Sequence, residues 1–313
     1  LVIGAPTTST VISGMTYTSI GTVYVYDNSQ SLTSYNLLET INAPDLQNNL
    51  RFGHEVVICP NTCSIYVGAI GYNSLSNSNG VVYRYINTGR LYGVIVGTNP
   101  SPVINIGDTL TINGVTVTFT GVTNTAAVKD INAANIPGVV ASTFNNLNLE
   151  LQSTVSIANN NIIIGSNSSA KNYFGINVFD LDQRMTSNSS QTFVDFGNKI
   201  FINDTADSVL IGASTATNSI PIRFDYGTTT FDAKSTSINN TFKRSGNAYL
   251  YEYQSESVET AIRHGKMFFT QSLAVNSLIT DSLFSTGIAM TNNWIMVSAL
   301  KDANGAGSVY SFY

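Results

Sequence analysis

The sequence predicts an all-β protein built from small sheets that repeat along the chain. The first observation is a pattern seen in full in residues 52–85: Phe-Gly, an apolar run, a turn, a second apolar run ending in Gly-Ala, a polar loop, then Gly and an alternating Val/Tyr run. The second is that the apolar runs are short, rich in β-branched and aromatic residues and bounded by Pro, Asn, Gly and Ser, which is typical of strands. The third is composition, since 43% of the residues are apolar and alternate along the chain, which argues against disorder although only 11% are charged.

The repeated pattern also predicts how the sheets pack. It occurs, wholly or in part, at residues 1–26, 52–85, 155–179, 200–253 and 283–313, which gives five predicted units. Each unit is expected to form a small antiparallel sheet, with further outer strands at residues 37–41 and 266–273. Because such a sheet cannot bury both faces alone, neighbouring units must cover it, and radial packing of this kind is a β-propeller.

Residues 91–151 interrupt the repeat and predict an inserted α+β module of the order β-β-α-β-β. Asn113-Gly114 is a strong signal for a tight hairpin turn. Residues 124–134 have helical spacing of apolar side chains after a polar cap, and Pro137 and Gly138 end the pattern. The predicted domains are therefore residues 1–90 (units one and two), 91–151 (the module) and 152–313 (units three to five).

The Phe-Gly, Val-Gly-Ala and Gly-x-Val-Tyr-x-Tyr signatures resemble the FG-GAP repeat of integrin-α-type β-propellers. The insert FDYGTTTFDAKST at residues 224–236, together with residues 91–151, resembles large virion structural proteins of contractile-tailed bacteriophages, notably those that infect cyanobacteria. The resemblance implies a propeller whose five visible units belong to a seven-bladed ring or a longer chain. Because LVIGAP reads as the second strand of a unit, we expect the sequence to be part of a longer polypeptide.

Composition narrows the function classes. The net charge of −5 comes without a basic stripe, so we expect no nucleic-acid partner. No apolar run approaches the roughly 20 residues of a membrane span.

Cys59 and Cys63 flank a tight turn, which leaves open a free structural pair or a short-loop disulfide, whereas a metal site made from this pair alone lacks further ligands.

Candidate metal and catalytic residues are few. The resemblance implies calcium loops before the third strands, here residues 73–79, 171–174 and 301–306, but the best of them offers only Asp302 and Asn304, so we predict no metal and no cofactor. Asp180 and Asp182 could point the same way from a strand as a glycosidase pair, but they lie where a strand exits into a loop, and we expect both to be solvated. Asp225 and Asp232 are expected to form turns.

The remaining candidates have ordinary structural interpretations. His54 and His264 lack a nucleophile elbow or a Ser-His-Asp order, and His54 is expected to form an inter-sheet hydrogen bond. Trp294 lies in an apolar run and is predicted to be core. The tyrosines of the third strands are expected to pack between sheets, with a sugar-stacking platform as the alternative. Glycosylation sequons at Asn167, Asn188, Asn203 and Asn239 are expected by chance in so Asn-rich a chain.

We therefore expect a non-enzymatic structural component of a bacteriophage virion, in a tail, baseplate or fibre, located in the particle and extracellular after release. Its expected partners are other virion proteins, with oligomerisation in the particle. The alternative is a host-attachment or adhesion domain that binds glycan or protein through propeller loops. A tail-associated polysaccharide depolymerase is a third hypothesis. No catalytic or binding residue is assigned from the sequence.

Overall fold

The computed structural model confirms that the chain is predominantly β. It describes residues 1–27, 34–59, 64–74, 77–87, 94–145, 147–154, 162–165, 168, 170–176, 178–187, 195–203, 205, 207–216, 218–219, 225–226, 229–230, 241–242, 246–254, 266–273, 282–302 and 305–313. Within those residues, no helix is both long and apolar enough to span a bilayer.

In chain order, strands β1 to β10 are Val2–Ala5, Thr10–Ile12, Met15–Tyr17, Thr22–Asp27, Asn36–Asn42, Phe52–Ile58, Ile65–Ala69, Asn73–Ser74, Asn77–Ser78 and Val81–Asn87. Strands β11 to β19 are Val94–Val96, Thr109–Ile112, Val115–Thr118, Val139–Phe144, Asn148–Ser153, Phe179–Met185, Lys199–Ile202, Ser208–Ala213 and Asn218–Ser219. Strands β20 to β27 are Asp225–Tyr226, Thr229–Thr230, Thr241–Phe242, Asn247–Gln254, Lys266–Leu273, Phe284–Met290, Ile295–Ala299 and Ser308–Phe312. Helices α1 and α2 are Asn124–Ala133 and Lys171–Phe174.

The larger antiparallel sheets of the described chain follow one another in sequence. Sheet I has the order β1-β4-β5, sheet II β16-β10-β7-β6, sheet III β17-β18-β23-β24 and sheet IV β25-β26-β27. The second strands of the sequence repeat are β1, β7, β18 and β26, and its third strands are β4, β10, β23 and β27. The two pair in one common register in every sheet, in which the residue before the Gly-Ala or Ser-Ala pair faces a tyrosine. These pairs are Ile3 with Tyr24, Val67 with Tyr83, Ile211 with Tyr249 and Val297 with Tyr310.

The outer strands of sheets I, II and III share a β-bulge. The pairing skips one residue of the outer strand, and the skip lies opposite the same step of the third strand in each sheet: Val25 to Tyr26, Arg84 to Tyr85 and Leu250 to Tyr251. A bulge of this kind bends and twists the strand locally. The skipped residues are Leu38, Asp182 and Thr270. The predicted outer strands at residues 37–41 and 266–273 are confirmed as β5 and β24.

The third of the five predicted units is wrong at the level of strand pairing. Strand β16 was expected to be the third strand of a separate unit, but it pairs with β10 and completes sheet II from the outside. Ile164, predicted to lie in the second strand of that unit, instead forms an antiparallel bridge with Ile112 of the inserted module. Apolar runs separated by Asn and Gly resemble the repeat in composition, but their hydrogen-bond partners differ. The limits 1–90, 91–151 and 152–313 stay predictions.

The inserted module has the predicted local structure. Strands β12 and β13 form a hairpin through Asn113 and Gly114, whose φ angles are 48° and 82°, as a type I′ turn requires. Helix α1 begins after Thr123, whose side chain accepts a hydrogen bond from the amide of Ala126. Strands β11, β15 and β14 form a three-stranded sheet beside them.

Successive sheets are joined backbone to backbone at a repeated contact, which we call the Phe/Gly joint. It combines the glycine before the third strand of one sheet with the phenylalanine at the start of the next sheet. Gly21 has a φ of +90°, and a Cβ atom there would lie 2.6 Å from the amide nitrogen of Phe52, so that only glycine fits this close approach. The joints pair Gly21 with Phe52, Gly80 with Phe196 and Gly246 with Phe284.

Each joint phenylalanine anchors the core beside it. Phe52, Phe196 and Phe284 are all 0% exposed. Each ring meets two aromatic rings from the third strand of its own sheet, in tilted or edge-to-face arrangements that favour aromatic pairing. The ring pairs are Phe52 with Tyr83 and Tyr85, Phe196 with Tyr249 and Tyr251, and Phe284 with Tyr310 and Phe312. The prediction that the tyrosines of the third strands serve packing is therefore confirmed for Tyr83, Tyr85, Tyr249 and Tyr251, which are buried.

Candidate functional site: a groove between sheets III and IV

A groove with a volume of about 650 Å³ opens between sheets III and IV. This volume is within the range of about 300–1,000 Å³ that is typical of small-molecule sites. Strand β23 and the edge strand β24 line one wall, and the turn between β25 and β26 lines the other. Its described lining residues combine aromatic rings, side-chain amides and two carboxylates, so it can offer both apolar and hydrogen-bonding contacts.

Trp294 forms the aromatic wall of the groove. It closes the turn between β25 and β26, where the amide of Thr291 donates to the Trp294 carbonyl at 2.8 Å and the Trp294 amide donates to the Thr291 hydroxyl at 3.1 Å. The indole is stacked at a tilt on the ring of Tyr313, with centroids 5.1 Å apart. Trp294 remains 49% exposed, so the prediction that it belongs to the core is wrong. The Thr-Asn-Asn turn ends at Trp294, and the buried part of the apolar run begins after it.

Asn203 organises the polar floor. Its side-chain nitrogen Nδ2 donates to Asp207 Oδ1 at 2.6 Å and to Thr205 Oγ1 at 2.8 Å, and it lies 3.2 Å from Asn292 Oδ1 of sheet IV. Its carbonyl oxygen Oδ1 accepts from the amide of Ser208 at 3.0 Å. Asn203 is only 6% exposed, so its amide is committed to this network rather than available as a sequon acceptor.

Two carboxylates, Asp207 and Glu252, give the groove its charge. The hydrogen bond from Asn203 holds the pKa of Asp207 below its ordinary value, and the hydroxyls of Ser208 and Thr205 act in the same direction, because donors stabilise the ionised form. Glu252 accepts a hydrogen bond from Thr270, the bulged residue of β24, at 3.2 Å. The described lining residues include no Lys, Arg or His.

Tyr253 forms part of the same wall and is 38% exposed. The guanidinium carbon of Arg84, from sheet II, lies 6.0 Å from the centre of its ring, a distance that suits a cation–π contact. Arg84 is itself paired with Asp182 at 3.0 Å, so its charge is balanced by sheet II. Tyr253 therefore borders the groove, but its ring lies on the face of β23 that points to sheet II, opposite the face that carries Leu250 and Glu252.

The two carboxylates predicted as a possible glycosidase pair have separate environments. Asp180 is exposed on β16, whereas the Asp182 side chain is only 12% exposed and forms the ion pair with Arg84. The β-bulge at Asp182 breaks the regular alternation that would have pointed both side chains the same way. The expectation that both carboxylates are solvated is wrong for Asp182.

The other predicted residues that the structure describes do not meet at a common site. Asp302, the best candidate calcium ligand, is buried and accepts a hydrogen bond from the Tyr310 hydroxyl. His54 is exposed, and its backbone amide donates to the Arg51 carbonyl at 3.1 Å. The protein around its ring displaces part of the solvent, and this desolvation lowers its pKa. Cys59 is a buried free thiol. Asp225 begins the short strand β20.

Several predictions fall outside the described residues. They concern Cys63, Asn167, Asn188, Asp232, Asn239, His264, Asn304 and most of the long loop at residues 214–246.

Sequence signals for the groove were weak. The turn residues Thr291, Asn292 and Asn293 did predict a hairpin, but the partner wall comes from a strand about forty residues earlier, and sequence spacing does not reveal that contact. In the described part of the chain, no group of three or more His, Cys, Asp or Glu side chains could hold a metal ion. None of the protein-family models and none of the curated proteins compared with the chain matches it.

Proposed function

We propose that the chain is a rigid, non-catalytic interaction platform in which sheets I to IV are successive blades of an FG-GAP-type β-propeller. The observation that carries this proposal is the Phe/Gly joint, which recurs between I and II, between II and III, and between III and IV. A joint that repeats with the same residue types and the same backbone contact supports a regular rotation from one sheet to the next.

The cores between the sheets support rigidity. Phe196, Val82 and Ile211 belong to a cluster of buried side chains shared by sheets II and III, and Phe284, Leu210 and Val297 belong to a cluster shared by sheets III and IV. Because each sheet buries a face against its neighbour, the polar loops and the inserted module are left to contact partners. A fold of this kind suits a platform better than a hinge.

The location that we propose for the platform is a bacteriophage virion, in a tail, baseplate or fibre. The low charge, the polar loops and the resemblance of residues 91–151 and 224–236 to virion proteins support it. The partners would be other virion proteins, and the inserted module, with its own sheet and helix, would serve as a spacer or docking element. Oligomerisation would then be a property of the particle.

The direct test is quantitative mass spectrometry of purified phage particles whose genome encodes the chain, followed by a cryo-electron microscopy map. A constant copy number per particle, with density for blade-like sheets in the tail, baseplate or fibre, is the expected result. Absence of the polypeptide from intact particles would contradict the proposal. A non-structural phage protein present in the lysate serves as the control for carry-over.

Surface recognition is a second candidate, favoured by one observation: the groove between sheets III and IV exposes Trp294 beside unburied polar side chains. Half-exposed tryptophan at a concave site is typical of binding surfaces. Binding of the fluorescently labelled chain to host cells tests it. The expected result is saturable binding that is weakened by Trp294→Ala and kept by Tyr35→Ala, a variant of another exposed aromatic residue remote in sequence from the groove.

The ion pair of Asp182 with Arg84 removes the argument for the depolymerase hypothesis that Asp180 and Asp182 had supplied.

A further inference from the structure

We propose that the groove between sheets III and IV binds an uncharged oligosaccharide, which rests against Trp294 and is oriented by the amide and carboxylate groups of Asn292, Asp207, Glu252 and Gln271. This inference rests on the second candidate function, surface recognition, and assigns the ligand class for its site. It does not depend on where in a particle the chain resides.

The two sides of the groove match the two sides of a sugar ring. A pyranose has an apolar face of C–H groups and a rim of hydroxyls. Trp294, half exposed and held in place by the turn hydrogen bonds of Thr291, offers an aromatic surface for the apolar face. The opposite wall is lined by Glu252 and Gln271, whose polar groups suit the rim of hydroxyls.

The polar groups suit hydroxyls as ligands. Carboxylates accept hydrogen bonds, whereas amide side chains both donate and accept, so together they can satisfy the donor and acceptor of each hydroxyl. Asp207 is held in place by Asn203 at 2.6 Å and by Ser208 at 3.0 Å, which fixes an acceptor before a ligand arrives. Such pre-organisation reduces the ordering cost of binding.

The charge of the groove discriminates between classes of sugar. Asp207 and Glu252 face it, and the described lining residues include no cation to compensate them. A uronic or sialic acid would bring a like charge into the groove without a partner, which is unfavourable. Neutral sugars carry no such penalty, and the site therefore favours them over acidic polysaccharides.

The chain carries its own reporter for this test. Trp294 is its only tryptophan, so that tryptophan fluorescence, excited selectively over that of the tyrosines, reports on the groove. The full chain is first screened on an array of neutral and acidic glycans, and the neutral hits are titrated while Trp294 fluorescence is recorded. The expected result is a saturable fluorescence change with neutral glycans, and at least tenfold weaker binding of acidic glycans of similar length.

Two variants separate a groove ligand from adventitious binding. Trp294→Ala should weaken binding at least tenfold in isothermal titration calorimetry, which needs no fluorescence, while circular dichroism verifies its fold. Tyr35→Ala, which alters an aromatic residue that is 57% exposed and not part of the groove lining, should bind as the unmodified chain does. Asp207→Asn should raise the affinity for acidic glycans relative to neutral ones.

Three outcomes would overturn the inference: no neutral glycan binds, acidic glycans bind as tightly as neutral ones, or Trp294→Ala binds unchanged. Cell binding that depends on Trp294 but is accompanied by no glycan binding would overturn the ligand class and leave surface recognition standing. Loss of both glycan and cell binding would remove both. The experiments thus distinguish failure of the ligand assignment from failure of the proposed function.

Discussion

The hydroxyl of Ser285 accepts a hydrogen bond of 2.9 Å from the buried amide of Ala213, across the joint between sheets III and IV. Ser285 occupies the position that is glycine in the other two joints: Gly53 and Gly197 have φ angles of 88° and 91°, and Ser285 has a φ of 72°. A serine with positive φ is strained, and the hydrogen bond to its hydroxyl offsets this strain. The third joint therefore combines a less favourable backbone with an additional contact.

The serine at this joint predicts an unusual order of stability for two variants, Ser285→Ala and Ser285→Gly. Ser285→Ala keeps the strained backbone and leaves the Ala213 amide without its acceptor, at a cost of about 1–3 kcal/mol. Ser285→Gly loses the same acceptor but relieves the backbone strain, so it should be the milder change. Urea unfolding measures both, with the exposed Ser272→Ala as the control. If the glycine variant is as unstable as the alanine variant, the positive φ of Ser285 carries no strain for the hydroxyl to offset.

The joint phenylalanines are expected to dominate the core. Phe196 is 0% exposed and contacts the rings of Tyr249 and Tyr251, so Phe196→Ala should reduce the free energy of unfolding by about 3–5 kcal/mol. Phe268, which is 41% exposed on β24, provides the matched control, and Phe268→Ala should cost far less. Chemical denaturation followed by circular dichroism makes the comparison, and similar losses for both variants would count against the joint as the main anchor.

The ion pair of sheet II gives a second matched pair of variants. The side chains of Arg84 and Asp182 are 4% and 12% exposed and 3.0 Å apart. Asp182→Asn removes the carboxylate that balances the buried Arg84 charge, which should cost about 3–5 kcal/mol. Asp180→Asn, two residues earlier on the same strand, changes an exposed carboxylate whose interactions are screened by solvent, so it should cost less than about 1 kcal/mol. Equal effects in thermal unfolding would show that the bulge does not separate the two carboxylates.

The buried tyrosines predict a loss of stability in alkali. Burial raises the pKa of Tyr66 to about 12 and also raises the pKa values of Tyr83, Tyr85 and Tyr251 above their ordinary value. The folded state keeps the phenol proton, whereas the unfolded chain loses it near pH 10. The contribution of these tyrosines to the free energy of unfolding is therefore complete below about pH 10 and declines as the pH rises towards the folded pKa. Tyr66→Phe should lessen that decline by up to about 1.4 kcal/mol per pH unit above pH 10. Urea unfolding at successive pH values tests this, and an unchanged slope in the variant would contradict it.

Local signals in the sequence predicted local structure well. Asn113-Gly114 predicted the hairpin of the module, and Thr123 predicted the start of α1, because both depend on the backbone preferences of adjacent residues. The Phe-Gly and Gly-Ala signatures likewise predicted strands that the structure contains. Such features need no knowledge of distant parts of the chain.

Long-range pairing was harder to predict. Strand β16 pairs with β10 across the inserted module. The polar residues around Asp182 resembled a strand end, because the sequence does not reveal that Asp182 is paired with Arg84 on the neighbouring strand. Trp294 was placed in the core since it adjoins an apolar run, but the turn ends at that residue and leaves its indole in the groove. Composition indicates that a residue is apolar, and only tertiary contacts decide whether it is covered.

The Phe/Gly joint is the central claim, and one pair of variants tests it most directly. Gly21 and Gly305 have nearly the same φ angles, +90° and +89°, but a Cβ at Gly21 would meet the backbone of Phe52, whereas one at Gly305 would meet no atom within 4 Å. Both alanine variants carry the backbone strain, of about 1–2 kcal/mol, and only Gly21→Ala also forces sheets I and II apart. In urea unfolding, the Gly21→Ala variant should be less stable than the Gly305→Ala variant by about 1–3 kcal/mol. Equal losses of stability in the two variants would contradict the joint.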